Sequence, residues 1–193
     1  MLFRSHSHWV DWAQFKLQLL VQLPPKFAIV GWSMGGLYAT RLAAEHPERV
    51  TQVLNITTLP YFVRAQNWPA IMRQVLCKFH QELVADPIAL VKNFIDTHAQ
   101  GIIYQPSVAA TADLAASLEL LLHWDLRVLL VDLSMPIGYV FGGLDAIVPS
   151  RMLNVMQQQY PDLDYWLIQH AAHAPFLSHS TMMTAILKSW IKQ

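Results

Sequence analysis

Residues 29–39 read IVGWSMGGLYA, a serine set between glycines directly after an apolar run and directly before a helical pattern. Gly31-Trp32-Ser33-Met34-Gly35 fits G-x-S-x-G, in which a serine occupies a sharp strand-to-helix turn and small neighbours let the two elements approach. The pattern alone is a weak signal, because glycine and serine are common residues. Its setting gives it weight. Phe27 to Val30 is apolar, follows Pro24 and Pro25, and suits a strand buried on both faces. After the turn, GLYATRLAAEHP alternates apolar and polar positions with a helical period and stops at Pro47. Residues 50–56, VTQVLNI, read as a second strand. Strand, helix, strand makes a βαβ unit and hence a parallel sheet.

Outward from this unit the pattern continues. Upstream, HWVDWAQFKLQLLVQL (8–23) places Trp9, Trp12, Ala13, Leu17, Leu20 and Val21 near helical spacing, with Ser7 as a cap. Downstream, residues 61–125 contain helical patterns such as AIMRQVLCKFHQEL and DPIALVKNFIDTHAQ and no good strand. They read as a helical lid inserted into a core made of residues 1–60 and 126–193. Sheet logic resumes with PIGYVFGG at 136–143, a helix at 150–159, the strand DYWLIQ at 164–169 and a terminal helix at 180–191. The expected architecture is α/β, with about four parallel strands, flanking helices and the lid.

Composition narrows the function classes. At 193 residues the chain suits one domain with a sizeable core. Hydrophobic residues are 54% and charged residues 13%, but no apolar stretch approaches the roughly 20 residues needed to span a bilayer. The start, MLFRSHSHWVDW, lacks the organisation of a secretory signal, so a cytoplasmic location is the expectation. Zero formal net charge gives no bulk electrostatic case for nucleic acid or an anionic membrane. The single cysteine, Cys77, excludes an internal disulfide and a multi-cysteine zinc site, and reads as a small packed hydrophobe.

A serine hydroxyl is a poor nucleophile at neutral pH. It needs a histidine base, and the base needs an acid to fix its tautomer and stabilise the imidazolium. In sheet folds of this kind the chain order is serine, acid, histidine. The stretch TTLPYF after the second strand offers no acid, whereas FGGLDAIVP places Asp145 just beyond the third strand, where such folds gather functional groups. The alternative for Asp145 is a cap on the following helix. Asp132 precedes that strand and belongs to the wrong end of the sheet. For the base, HAAHAPF places His173 on the loop after the last strand, while His170 is at the strand end and His179 begins the terminal helix. Ser33, Asp145 and His173 thus fall at the carboxyl ends of three different strands in the required order. That pattern argues for an acyl-transfer hydrolase.

These residues also resemble a family. GWSMGGLYATRLAAEHPERV, VPSRM following GGLDAI, and AAHAPFLSH are very similar to the BioH-type pimeloyl-[acyl-carrier protein] methyl ester esterases of biotin synthesis, a group within the α/β-hydrolases. The resemblance runs from about residue 8 to the end and is looser in the lid, where NFIDTHAQG matches a substrate-contacting stretch. It implies that Phe94 lines an acyl channel, that His98 stands where the family tends to use glutamine, and that Trp32 and Met34 beside Ser33 contact substrate. The implied reaction is hydrolysis of a methyl ester on a carrier-bound pimeloyl chain, without metal or cofactor, with acyl-carrier protein as a partner.

Two departures from the family shape the alternatives. The lid carries Arg64, Arg73, Lys78 and Lys92 against Glu82, Asp86, Asp96, Asp113, Glu119 and Asp125, a net negative balance toward an acidic carrier. Family members also have a further half-sheet before the elbow, with a His-Gly turn that lends an oxyanion-hole N–H. Nothing upstream of Trp9 supplies it, which leaves the Met34 N–H as the one obvious donor. The expectation is a shortened sheet with Phe27 to Val30 at its edge, prone to self-association. The readings are therefore a serine carboxylesterase of the biotin pathway, a general short-chain esterase of the same fold, or a truncated non-catalytic remnant that binds a partner or an acyl chain.

Overall fold

Four short apolar runs pair as one parallel sheet in the order β1-β2-β3-β4, with β1 at Phe27–Trp32, β2 at Val50–Ile56, β3 at Ile137–Gly142 and β4 at Asp164–Ile168. The fold comes from a computed structural model that describes residues 12–98 and 118–191. Helix α1 (Trp12–Gln22) precedes β1, α2 (Met34–Glu45) joins β1 to β2, and α3 (Arg73–Ala85), α4 (Pro87–His98) and α5 (118–123) lie between β2 and β3. Then α6 (Arg151–Gln159) joins β3 to β4, and a short α7 (Pro175–Ser178) and α8 (Ser180–Trp190) close the chain. Residues 8–11 of the expected first helix lie outside the described residues, as does Asp113. No helix among the described residues is long and apolar enough to cross a membrane.

Two apolar layers hold the sheet. On one face Leu37, Leu42, Val53, Tyr139 and Phe141 pack with Met152 and Met156 of α6, in a cluster that also takes in Leu76, Leu83 and Leu90 of α3 and α4. On the other, Leu54, Ile56, Val140 and Ile168 meet Met183, Ile186 and Trp190 of α8. Cys77 is half-buried and packs against the first layer.

β1 departs from its expected burial on both faces. It pairs only with β2 among the described residues, and Ala28, Val30 and Trp32 are exposed, Val30 at 48%. A short apolar run reads the same for an edge strand covered on one face as for a central strand covered on two. β3, by contrast, is buried along its whole length.

The register aligns the carboxyl ends of the strands. Trp32 is paired with Ile56, Ile56 with Val140, and Gly142 with Ile168, so the segments that follow β1, β3 and β4 emerge on one side. Glycines permit close approaches there. A Cβ on Gly36 would collide with the Thr58 side chain and lie 2.8 Å from Asn55 Oδ1, and one on Gly31 would lie 2.6 Å from the Gly36 Cα. Gly35, the last glycine of the serine motif, faces open space. The steric requirement has moved one residue along.

Candidate active site

Ser33 sits between β1 and α2 with φ 52° and ψ −123°, a left-handed backbone that non-glycine residues rarely adopt. Its N–H donates to the Ile56 carbonyl at 2.9 Å, tying the turn to the end of β2. Serine at a helix N-terminus ordinarily caps the helix with its hydroxyl. Here the hydroxyl makes no cap. It lies 2.8 Å from His173 Nε2 instead.

The imidazole is held at both nitrogens. His173 Nδ1 lies 2.8 Å from Asp145 Oδ2, and both side chains are essentially fully buried. An aspartate at Nδ1 fixes the tautomer that leaves Nε2 free to accept a proton from Ser33. The expected alternative for Asp145, a cap on the following helix, does not hold: the N-cap position of α6 is Ser150, and the two oxygens of Asp145 are engaged elsewhere. While Oδ2 faces the histidine, Oδ1 accepts the N–H groups of Ile147 (2.8 Å) and Val148 (3.0 Å), so the carboxylate folds its own loop rather than capping α6. Ser33, Asp145 and His173 are therefore brought together as one hydrogen-bonded chain. Asp132 lies in a 3-10 turn ahead of β3, and His170 is exposed in the turn after β4. His179 falls between α7 and α8.

Beside Ser33 opens a cavity of about 620 Å³, within the usual size of ligand pockets. Trp32, Met34, Phe62, Phe79, Phe94 and Phe176 are among the residues lining it, and no charged side chain does so among the described residues. The Phe94 ring meets His173 edge-on at 6.0 Å and Phe79 at 5.8 Å, so α4 places Phe94 beside the His173 ring. Trp32 packs against both His173 and Phe176. Of the residues named for substrate contact, Trp32, Met34 and Phe94 border this space. His98 closes α4, and its side chain lies outside those the structure describes.

Met34 opens α2, so its N–H has no partner within the helix and stands at the positive end of the helix dipole. Together these groups can support attack on an acyl carbon, with proton uptake by the imidazole and partial stabilisation of an oxyanion.

A family model described as the alpha/beta hydrolase family matches residues 3–183. The chain belongs to the alpha/beta hydrolase family. Among the relatives of this hydrolase, the pimeloyl-[acyl-carrier protein] methyl ester esterase of Legionella pneumophila strain Corby is 41% identical over 186 residues, covering 95% of this chain and 78% of that one. The protein of the same name from Aliivibrio fischeri strain MJ11 is 31% identical, covering 95% of this chain and 76% of the other. Among solved structures, an esterase from Exiguobacterium antarcticum aligns with a TM-score of 0.80 at 18% identity, covering 95% of this chain and 75% of that one. A thermophilic esterase from Thermogutta terrifontis aligns at 0.70, with 18% identity and coverage of 100% and 75%. At such identities the structural likeness concerns the fold. The hydrolase spans about three quarters of the length of these relatives.

One residue that sequence reasoning passed over is Thr57. Its hydroxyl donates to the His173 carbonyl at 2.7 Å, a contact that nothing in TTLPYF signals.

Proposed function

We propose that this hydrolase is a serine carboxylesterase that cleaves the methyl ester of a carrier-bound pimeloyl chain, with Ser33 as nucleophile, His173 as base and Asp145 as its orienting acid. The carrying observation is the hydrogen-bonded chain from Asp145 through His173 to Ser33 at the wall of an apolar cavity. Ser33 Oγ attacks the ester carbon as His173 Nε2 takes its proton, and the Met34 N–H faces the developing oxyanion. The imidazolium then protonates the leaving alkoxide, releasing methanol and an acyl-serine. Water, deprotonated by His173, attacks the acyl-serine, and collapse returns Ser33 and a free carboxylic acid.

The relatives' names supply the pimeloyl chain and the carrier. The helices between β2 and β3 would form the lid of residues 61–125, and the apolar cavity beneath suits an alkyl chain. Phe94→Ala should lower kcat/KM for p-nitrophenyl octanoate about tenfold or more while changing acetate by no more than about twofold. Equal losses on both esters would remove Phe94 from the channel.

One observation favours the second reading, a general short-chain esterase. Lys92 is 2.6 Å from Asp96, Lys78 is 3.7 Å from Glu82, and Arg73 donates to the Leu122 carbonyl, so these cations are engaged within the lid helices. Turnover of pimeloyl methyl ester on acyl-carrier protein, compared with the same ester on a short thiol, separates the two readings. A carrier preference supports the first, and equal rates support the second.

The edge of β1, unpaired beyond β2 among the described residues and with Val30 exposed, also supports self-association through strand pairing. Light scattering should show dimers or larger species that Val30→Lys shifts toward monomer. A monomeric unsubstituted chain would remove this proposal.

A further inference from the structure

Thr57 stands at the end of β2, where the contacts of the nucleophile and of the base converge. The Ile56 carbonyl just before it receives the Ser33 N–H at 2.9 Å. The Thr57 N–H donates to the Val140 carbonyl of β3 at 2.8 Å. Its hydroxyl donates to the main-chain carbonyl of His173 at 2.7 Å, and that same oxygen receives the Trp32 indole N–H, also at 2.7 Å. Thr57 is wholly buried, so no solvent competes for the hydroxyl. Its φ is 43°, a left-handed conformation that is unfavourable for a β-branched residue and persists only where the surroundings over-determine it. Among the described residues only Ser33, Thr57 and Asn67 share that feature without being glycine, and the first two lie within the same site.

We propose that Thr57 is a positioning residue for the reaction: its hydroxyl, with the Trp32 indole, clamps the His173 carbonyl and holds the imidazole in reach of Ser33. The proposal rests on the reading of Ser33 and His173 as nucleophile and base. The ring of His173 is restrained by Asp145 and Ser33, but both hold side-chain atoms on a loop beyond β4. The main chain of that loop is restrained at the carbonyl. The Ile56 carbonyl thus holds the serine turn, the Thr57 N–H anchors the same peptide unit to β3, and the Thr57 hydroxyl reaches from it to the histidine loop. Displacing reacting groups by about 1 Å can cost about 10²-fold in rate, so a clamp of this kind acts on kcat.

Thr57→Val keeps the shape and the β-branching, and therefore the backbone preference, while deleting the hydroxyl. Thr57→Ser keeps the hydroxyl. With p-nitrophenyl butyrate, and with rates normalised to sites titrated by a fluorophosphonate, Thr57→Val should lower kcat about tenfold and leave KM within about twofold. Thr57→Ser should recover most of that loss. An unchanged kcat per titrated site in Thr57→Val, with only the melting temperature lowered, would reduce Thr57 to a structural role and overturn the proposal. Should Thr57→Val not fold, Trp32→Phe removes the other donor to the same oxygen. It should likewise lower kcat on the acetate ester, where the acyl channel contributes little, and an unchanged kcat overturns the clamp. A wild-type protein that neither turns over ester nor takes the label on Ser33 would defeat the underlying catalytic reading. A labelled, active wild type with unaffected variants would defeat the clamp alone.

Discussion

Ser33→Ala should hydrolyse p-nitrophenyl butyrate at the background rate, a loss of about 10⁴-fold or more, and His173→Ala should fall to the same level. The double variant should be no worse than either single one, because nucleophile and base act as one unit and their contributions do not add. Steady-state rates on the three proteins check this, together with mass spectrometry of a fluorophosphonate adduct on the wild type. Ser33 is half-buried and its hydroxyl bonds to His173 rather than to the helix, so its removal should leave the melting temperature nearly unchanged. The alanine also replaces a side chain on a strained backbone, which costs nothing new. Retained turnover in Ser33→Ala would sink the mechanism.

Asp145→Asn should come second in size, lowering kcat by about 10⁴-fold with little change in KM. The amide can offer an N–H toward Nδ1, which favours the tautomer with the proton on Nε2 and leaves the serine without a base. The carboxylate has two tasks in this fold, and the substitution separates them. An amide oxygen in place of Oδ1 can still accept the Ile147 and Val148 N–H groups, so the loop should keep its shape. Asp145→Ala removes both functions and should add a loss of stability on the order of 1–3 kcal/mol as those two donors lose their acceptor. Denaturant midpoints on the two variants measure the difference. Equal destabilisation by both would show that the loop does not depend on Oδ1.

Much of this was legible in the residues. VTQVLNI spans β2 residue for residue, and the strand after Pro136 and the helices after the serine turn and before Pro161 lie within a residue or two of their expected bounds. Apolar runs punctuated by glycine and proline locate strands well because turn chemistry is local. The convergence of Ser33, Asp145 and His173 was readable for a related reason: their chain order and their placement after three different strands leave few arrangements in a parallel sheet.

What was not legible depends on contacts between distant segments. The edge position of β1 was expected, but the exposure of Val30 follows from what covers that face of the strand, which the run FAIV does not encode. The need for glycine at Gly36 rather than Gly35 follows from where Thr58 and Asn55 come to lie under α2. The two faces of the Asp145 carboxylate are distinguishable only once the loop has folded around one of them. Thr57 carried no signal at all, since a threonine after a strand is ordinary until its hydroxyl is seen to point at the histidine loop.

The uncharged lining of the cavity has a consequence for what can rest against it. On the proposed mechanism the product carboxylate forms at Ser33, beside His173 and the Met34 N–H, whereas the same anion moved against apolar walls without a cation is strongly disfavoured relative to water. The described walls of this chamber offer it phenyl rings and aliphatic side chains. An ester is at home there and its acid is not. Charge therefore separates the two along these walls: an uncharged acyl chain is accommodated there and a carboxylate is not.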